Sequence, residues 1–531
     1  MNAWKFLPLF RQSSVKLLCL VLLTCAFYFP ALHAGFVWDD FFIFVNDPLM
    51  TAPEGLWRIW FDPGTERWNY WPMSRSAFWL QRQLWGLNPL GYHLVNLSLH
   101  LLVSLALWLA LQTLQIRGAW WVALLFALHP AHVVSVAWVT ELKNTLSGLF
   151  YLLSFWSFFR FDRNRKWQWY GLSLFLFLIA LLSKSSLVMF PALLVVYQLG
   201  FSKKRKIPDN YYLMPFFILA LVSGLLSVWV ENQYIGLKTS GFASGILEKT
   251  IIASHAAFFY IEKLLWPHSY MAVYPKWEID LKQFHLYLPL LCWLIAAVIL
   301  FLKYKAWGRP LLLGAAAFAL SLFPVLGFFN VAGFSITYVW LHLVYLPSIP
   351  IFILIVQGGI WISDHFQRKK SHLMRSLPGG SIVLIVLILG TLTWYQSRLY
   401  KNEETLWSDT LRKNPSSWMA FHHLGNVFLD QGKFEEALQM FNQEIRNNPN
   451  ASQGYASRAL AYSRLKRYDL AVESFNFAIR LRSDLSRYYR DRGLVFFFMN
   501  KKESMCADWK HACRLGDCRN YRLAQNRNDC L

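Results

Sequence analysis

Charge is what this 531-residue chain has little of. Only 15% of its residues are Asp, Glu, Lys or Arg, while 56% are hydrophobic and 18% aromatic. That balance excludes an ordinary soluble globular protein, whose water-facing surface carries more charge. Acidic side chains are scarcer still, 30 against 52 Lys and Arg, for a formal net charge of +22. Such a surplus would suit a nucleic-acid binder, but much of it is concentrated in short connections between apolar runs, which excludes that reading. Cysteine is sparse as well. Of seven, Cys506, Cys513, Cys518 and Cys530 crowd the C-terminus, and no Cys-x-x-Cys pair occurs, which argues against a zinc site.

Long apolar runs are what is present, and runs of about 18 residues or more read as bilayer spans. Eleven are expected: Leu17–Phe36, Tyr92–Leu114, Trp120–Val139, Thr145–Phe161, Trp167–Leu182, Leu187–Gly200, Tyr212–Val230, Leu286–Leu302, Leu311–Phe328, Tyr338–Val356 and Ile382–Tyr395. Some are short for a full crossing, which suits broken or re-entrant segments. The first run follows Lys5, Arg11 and Lys16 in the manner of a signal peptide, but "ALHAGF" is a poor cleavage site and a retained helix is expected.

With the N-terminus in the cytoplasm, "RFDRNRK", "SKKRK", "KYKAWGR" and "HFQRKKSHLMR" all fall inside. Up to residue 400 the cytoplasmic side then holds 19 Lys and Arg against 3 Asp and Glu, and the far side 12 of each. This is the positive-inside asymmetry. Counting Ile251–Pro267 as a further span would invert it, so that segment is expected to lie along the outer surface. The C-terminal region then also lies outside.

After residue 400 the composition turns polar, with 21 Lys and Arg and 15 Asp and Glu. A 34-residue period relates Gly425, Ala459 and Gly493, then Ala437 and Ala471, then Phe441, Phe475 and Trp509. Small residues let paired helices cross closely, and aromatics fill the space between pairs. That is the tetratricopeptide pattern. In the third repeat Lys502 replaces the aromatic of Phe434 and Tyr468, and Met505 replaces the alanine, as befits a capping repeat. The fold class is therefore all-α: a polytopic helical membrane domain over 1–397, a linker or entry helix over 398–420, and about three repeats over 421–531. Such repeats bind protein partners or serve as a structural lid. The four clustered cysteines suit disulfides in an oxidising compartment, with three pairings open. Cys506 and Cys513 lie two helical turns apart, about 10 Å, which disfavours a direct bond.

In this topology the unusual polar residues near span ends share the outer side. Asp39 and Asp40 stand together in "AGFVWDDFFIFVNDP". "HPAHVVSVAWVTELKN" carries His129, His132, Glu141 and Lys143, "LLSKSS" carries Lys184, and "WLHLVYLPS" carries His342. Ionisable groups at membrane depth usually mark a site. Each also has a plainer role: His129, His132 and His93 as structural histidines, Lys184 snorkelling, Glu141 and Lys143 in a solvated turn. Two adjacent carboxylates repel and gain nothing as an anchor. Carboxylates beside lysines suit proton removal from a hydroxyl while cations hold a phosphate.

"FVWDD", "YWPMSRSAFWLQRQLWGLNPLGYHLVNLSLH", "HPAHVVSVAWVTELKN", "LLSKSSLVMFP" and "NEETLWSDTLRKNPSSWMAFHHLGNVF", in that order, resemble the transmembrane and tetratricopeptide repeat (TMTC) glycosyltransferases and their bacterial relatives. The resemblance covers nearly the whole chain. It implies a GT-C fold and transfer of a sugar, such as mannose, from polyprenyl phosphate to a hydroxyl of a protein or glycolipid, with inversion. It implies Asp39 as general base, Asp40 as the group that orients the acceptor or holds a metal, and Glu141 as the second-loop acid. Lys143, Lys184, His132 and His342 would meet the donor phosphate. A divalent cation, magnesium or manganese, is left open, with Asp40 and Glu141 as its candidate ligands. Val134, Leu142 and Leu341 depart from the residues expected in that family.

The expected partners are the lipid-linked sugar, its acceptor, membrane lipids and a protein bound by the repeats, with no nucleic acid. The expected place is a bacterial inner membrane with periplasmic repeats, since the repeat array is short and no retention signal ends the chain. The alternative is the endoplasmic reticulum, repeats lumenal. Two rival functions are a ligase or oligosaccharyltransferase for lipid-linked glycans and a non-enzymatic membrane-anchored repeat scaffold.

Overall fold

The computed structural model describes residues 7–62, 70–201, 211–235, 245–329, 332–368 and 377–530. Among these, every regular element is helical. The chain divides into two units: 1–270 with 276–402, and 271–275 with 403–531. The division falls five residues beyond the expected 397, so the entry helix belongs with the repeats.

The first unit contains α1 Leu7–Tyr28, α2 Gly55–Phe61, α3 Pro72–Trp85, α4 Pro89–Thr113, α5 Ala119–Leu128, α6 Val133–Ala137, α7 Leu142–Asn164, α8 Trp167–Ser183 and α9 Phe190–Phe201. It continues with α10 Met214–Val230, α11 Ile246–Leu265, α12 Leu288–Leu302, α13 Arg309–Leu322, α14 Ser348–Arg368 and α15 Leu377–Arg398. Seven helical stretches among the described residues are long and apolar enough to cross a membrane: Ser14–His33, Pro89–Thr113, Tyr211–Gln233, Phe284–Leu302, Tyr304–Val325, Ser348–His365 and Val383–Lys401. The bent pair of α5 and α6 makes an eighth. The other three expected spans fall on α7, α8 and α9; α8 and α9 are short for a crossing, and α7 carries Lys143, Arg160, Asp162 and Arg163.

The tenth expected span is corrected at its start. Its helix begins at Ser348 rather than Tyr338, and Leu341–Val344 forms only a 3-10 turn. Pro347 disfavours helix in the residue before it. α11 meets no span criterion: it buries Ile252, Ala256 and Tyr260 on one face and exposes Ile246, Leu247 and Leu265. Such a helix suits a membrane surface better than a crossing. "SKKRK", most of "HFQRKKSHLMR" and part of the Phe329–Thr337 loop lie outside the described residues.

In the second unit α16 Glu403–Lys413 precedes the pairs α17 Trp418–Asp430 and α18 Phe434–Asn447, α19 Ser452–Arg464 and α20 Tyr468–Leu481, α21 Ser486–Phe498 and α22 Lys502–Arg514, then α23 Arg519–Asn526. First helices begin at 418, 452 and 486, and second helices at 434, 468 and 502, which is the 34-residue register of the sequence. The small residues have the expected cause. A Cβ on Gly425 would stand 2.4 Å from the Phe441 ring, and one on Gly493 would stand 2.6 Å from Trp509. Arg458 and Arg492, also 34 apart, tie each repeat to the one before through Asn442 and Asn476. Cys506 bonds Cys530 and Cys513 bonds Cys518, settling the pairing that spacing left open. The first closes a loop of 24 residues in separation, worth roughly 3–4 kcal/mol in the chain-entropy account.

Candidate functional site

Pro130 is where the site begins. A proline cannot donate to a helix ladder, so the third span breaks after Leu128 and resumes at Val133, bent by 55°. A break inside a bilayer frees carbonyls that only side chains can satisfy. His132 Nδ1 meets the Phe126 carbonyl at 2.8 Å, His100 Nε2 meets Ala127 at 3.0 Å, and the Thr393 hydroxyl donates to Leu128 at 2.7 Å. His132 Nε2 lies 3.0 Å from the Ser348 hydroxyl, and His129 bonds the Leu264 carbonyl at 3.0 Å. His132 therefore has no ring nitrogen left for a donor phosphate and stands apart from the lysines. It caps the break. His129 is structural in the same sense, and His93 is buried near the backbone of Ala34 and Gly35.

Downstream of the break, the chain turns through Val139–Glu141 into α7, and there it meets the loop that carries Asp39 and Asp40. Asp40 is fully buried and fully engaged. Its Oδ2 accepts from the Val37 amide at 2.9 Å, and its Oδ1 accepts from the Thr140 amide at 2.8 Å and the Thr140 hydroxyl at 2.6 Å. Asp39 differs. Its carboxylate is only partly buried and meets no hydrogen-bond donor among the described residues. Trp38, with a left-handed φ of 55°, stands in the turn that leads into the pair. It stacks on Trp138 at 4.7 Å and packs against Trp340 at 5.7 Å, joining three loops. Burial raises the Asp39 carboxyl to about 6; Lys143 opposes this and Glu141 adds to it.

Glu141 is fully buried, 2.7 Å from Lys143 Nζ and 2.5 Å from the Asn144 amide. Burial would raise its pKa, but the surrounding charge of His342, Lys143 and Lys184 outweighs that and lowers it. His342 Nδ1 is 3.9 Å from Glu141, and burial, aided by both lysines against Glu141, lowers the ring to about 3. With His342 neutral, the two lysines carry the attraction. His342 can thus donate a hydrogen bond but brings no cation. Burial lowers Lys184 to about 8, Glu141 opposing and Lys143 reinforcing, so its ammonium persists at neutral pH. Asn144 binds Lys184 through its oxygen and the His342 carbonyl, at 3.1 Å, through its nitrogen.

A cavity of about 690 Å³ opens against this cluster. Its walls are apolar, from α4, α7, α9, α13 and α14. Lys184, Asn144 and His342 line one end, and Arg117, Arg309 and Gln357 the other. It follows α13 from Arg309 to Ser321, about 18 Å by helical rise. Its lining is mostly apolar, with Lys184 the cation beside Asn144 and His342. Lys143 does not line it; it is held on Glu141 and over the Trp71 ring, 4.9 Å from the centroid. The expected phosphate ligands therefore divide: Lys184 and His342 face the cavity, Lys143 backs them, and His132 is elsewhere.

Thr140, Asn144 and the buried pair of Arg75 with Asp47 were missed by sequence reasoning. Arg75 also donates to the Ile43 carbonyl at 2.6 Å, fastening the turn that follows the aspartates. Among these, only Asn144 left a signal, one helical turn beyond Glu141. Asp40 and Glu141 do not fit a divalent cation as arranged, because amide, hydroxyl or ammonium donors already hold their oxygens. Among the described residues no three His, Cys, Asp or Glu side chains gather for one.

Fold and site together define a class: a multi-span helical membrane protein with a buried acid–lysine cluster and a tetratricopeptide array. The family model described as Tetratricopeptide repeat matches residues 452–485. Protein O-mannosyl-transferase TMTC3 of Mus musculus is 24% identical over 479 residues, 81% of this chain and 50% of its own. Protein O-mannosyl-transferase F38B6.6 of Caenorhabditis elegans is 24% identical over 80% of this chain and 62% of its own. Protein O-mannosyl-transferase TMTC1 of Mus musculus reaches 34% over 149 residues, 26% of this chain and 16% of its own. The chain resembles the TMTC proteins over about four-fifths of its length, and it spans about half the length of the TMTC3 relative it matches.

Proposed function

We propose that this chain is a GT-C-type membrane glycosyltransferase that moves a sugar, mannose in the first instance, from polyprenyl phosphate to a Ser or Thr hydroxyl of a protein. The cavity that ends at Lys184 carries this reading: it suits one hydrocarbon chain with a phosphate at its head. Asp39 takes the hydroxyl proton. The oxygen then attacks the anomeric carbon while the bond to the phosphate oxygen breaks, and the electron pair leaves with the phosphate. Lys184, oriented by Asn144, meets that charge, and His342 can donate a hydrogen bond to it. Attack opposite the leaving phosphate inverts the anomeric centre through an oxocarbenium-like transition state. The residues as arranged need no metal for these steps. We place the reaction on the outer face, the side on which the eleven-span reading of the sequence expects the repeats, and assign to the repeats the positioning of the acceptor polypeptide; their disulfides suit an oxidising side. The names of the relatives, protein O-mannosyl-transferases, support mannose and a protein acceptor.

The test uses the purified full chain in nanodiscs with polyprenyl-phosphate mannose and Ser/Thr peptides. The expected product has the anomeric configuration opposite to the donor. Lys184→Met should lower kcat by about a hundred- to a thousand-fold with the peptide KM unchanged. Transfer from a nucleotide sugar alone, or retention of configuration, would overturn the proposal.

A further inference from the structure

α11 contributes no group to the proposed reaction, yet it grips the loop that carries His342. Spacing of four puts Ile252, Ala256 and Tyr260 on its buried face. Tyr260 is fully buried, and burying a phenol is unfavourable unless its hydroxyl finds partners. It finds two, both on the backbone of Trp340. The Trp340 amide donates to the hydroxyl at 3.1 Å, and the hydroxyl donates to the Trp340 carbonyl at 3.2 Å. Trp340 is extended backbone just before the Leu341–Val344 turn, so no helix ladder satisfies its amide. Its carbonyl also accepts from the Leu343 amide at 3.0 Å, which closes the turn.

Two residues on, the His342 carbonyl accepts from Asn144 of α7 at 3.1 Å. Two helices therefore hold this loop, one at its stem and one at the histidine. The Trp340 ring fills the space between, 6.0 Å from the His342 ring and 5.7 Å from Trp38. The end of α11 is fixed in turn, since its Leu264 carbonyl meets His129 Nε2 at 3.0 Å beside the Pro130 break.

We infer that Tyr260 is a positioning residue for the transfer: by holding Trp340 it sets His342 toward the donor phosphate. The inference rests on the reaction proposed above. Without Tyr260 the loop can pivot about the His342 carbonyl, and a shift of about 1 Å at a reacting group costs up to about a hundred-fold in rate.

The test uses the full chain in nanodiscs. Tyr260→Phe removes only the hydroxyl. Tyr270→Phe is the matched control, because Tyr270 is also buried and donates to a backbone carbonyl, that of Lys263 at the end of α11. Gly333→Ala presses on Trp340 directly, since a Cβ there would stand 2.9 Å from the indole nitrogen. Tyr260→Phe and Gly333→Ala should lower kcat by about ten- to a hundred-fold with the peptide KM unchanged. Tyr270→Phe should keep the parent rate. In a His342→Ala background, Tyr260→Phe should cost no more than about two-fold further, because the group it positions is gone. Hydrogen exchange over 338–344 should quicken in Tyr260→Phe and stay at the parent value in Tyr270→Phe. Parent kinetics in Tyr260→Phe, an equal loss in Tyr270→Phe, or full additivity with His342→Ala would overturn the inference. Where Tyr260→Phe does not fold, parent kinetics in Gly333→Ala would overturn it. A parent chain without transfer would instead fail the proposed reaction. Exchange over 338–344 then decides the hold on the loop alone, and an unchanged rate there would overturn it.

Discussion

Thr140 grips Asp40 twice, by its amide at 2.8 Å and its hydroxyl at 2.6 Å, across a hundred residues of sequence. The bond fastens the loop that follows α1 to the turn that enters α7. It makes Asp40 an anchor, while the neighbouring Asp39 carboxylate meets no hydrogen-bond donor among the described residues. Asp40→Asn sets an NH₂ or a neutral oxygen against three donors, so it should cost about 3 kcal/mol of stability. Thr140→Val should cost less, since the amide remains. Thermal unfolding in nanodiscs checks both, and an Asp40→Asn protein as stable as the parent would remove the anchor role.

Activity should follow a bell in pH. Asp39 acts as a carboxylate and its pKa is raised to about 6, so kcat/KM falls as pH drops through that value. Lys184 acts as an ammonium lowered to about 8, so activity also falls as pH rises past 8. Lys184→Met should erase the alkaline limb and keep the acid one. A flat profile between 5 and 9 would contradict both assignments.

His132→Ala should behave as a structural lesion. It orphans the Phe126 carbonyl inside the broken span and costs about 1–3 kcal/mol. Thr393→Val should act in the same direction through Leu128. The donor KM of the folded fraction should stay at the parent value. A raised donor KM at unchanged stability would return His132 to the phosphate site.

The periodic parts of this fold were legible in the sequence. Among the described residues, apolar runs mark each helix long enough to cross, and the 34-residue spacing places the paired repeat helices. Spacing reports the face a residue occupies, not its partner. Residue type and spacing do not tell Asp39 from Asp40, because it is a threonine a hundred residues away that holds Asp40. His132 lies at the break made by Pro130, two residues upstream, and its partners there, Phe126 and Ser348, could not be read from its position in the sequence. The late start of α14 hides inside an unbroken apolar run, where only Pro347 signals it.

The central claim is that Asp39 is the base, and Asp39→Asn tests it most directly. The change is nearly isosteric, and Asp39 meets no described hydrogen-bond donor, so folding and donor binding should match the parent. The measurement is single-turnover transfer from polyprenyl-phosphate mannose to a Ser/Thr peptide, with donor binding and unfolding followed on the same preparation. The account predicts a rate lower by about a hundred- to ten-thousand-fold at unchanged donor affinity. Turnover within a few-fold of the parent would contradict it.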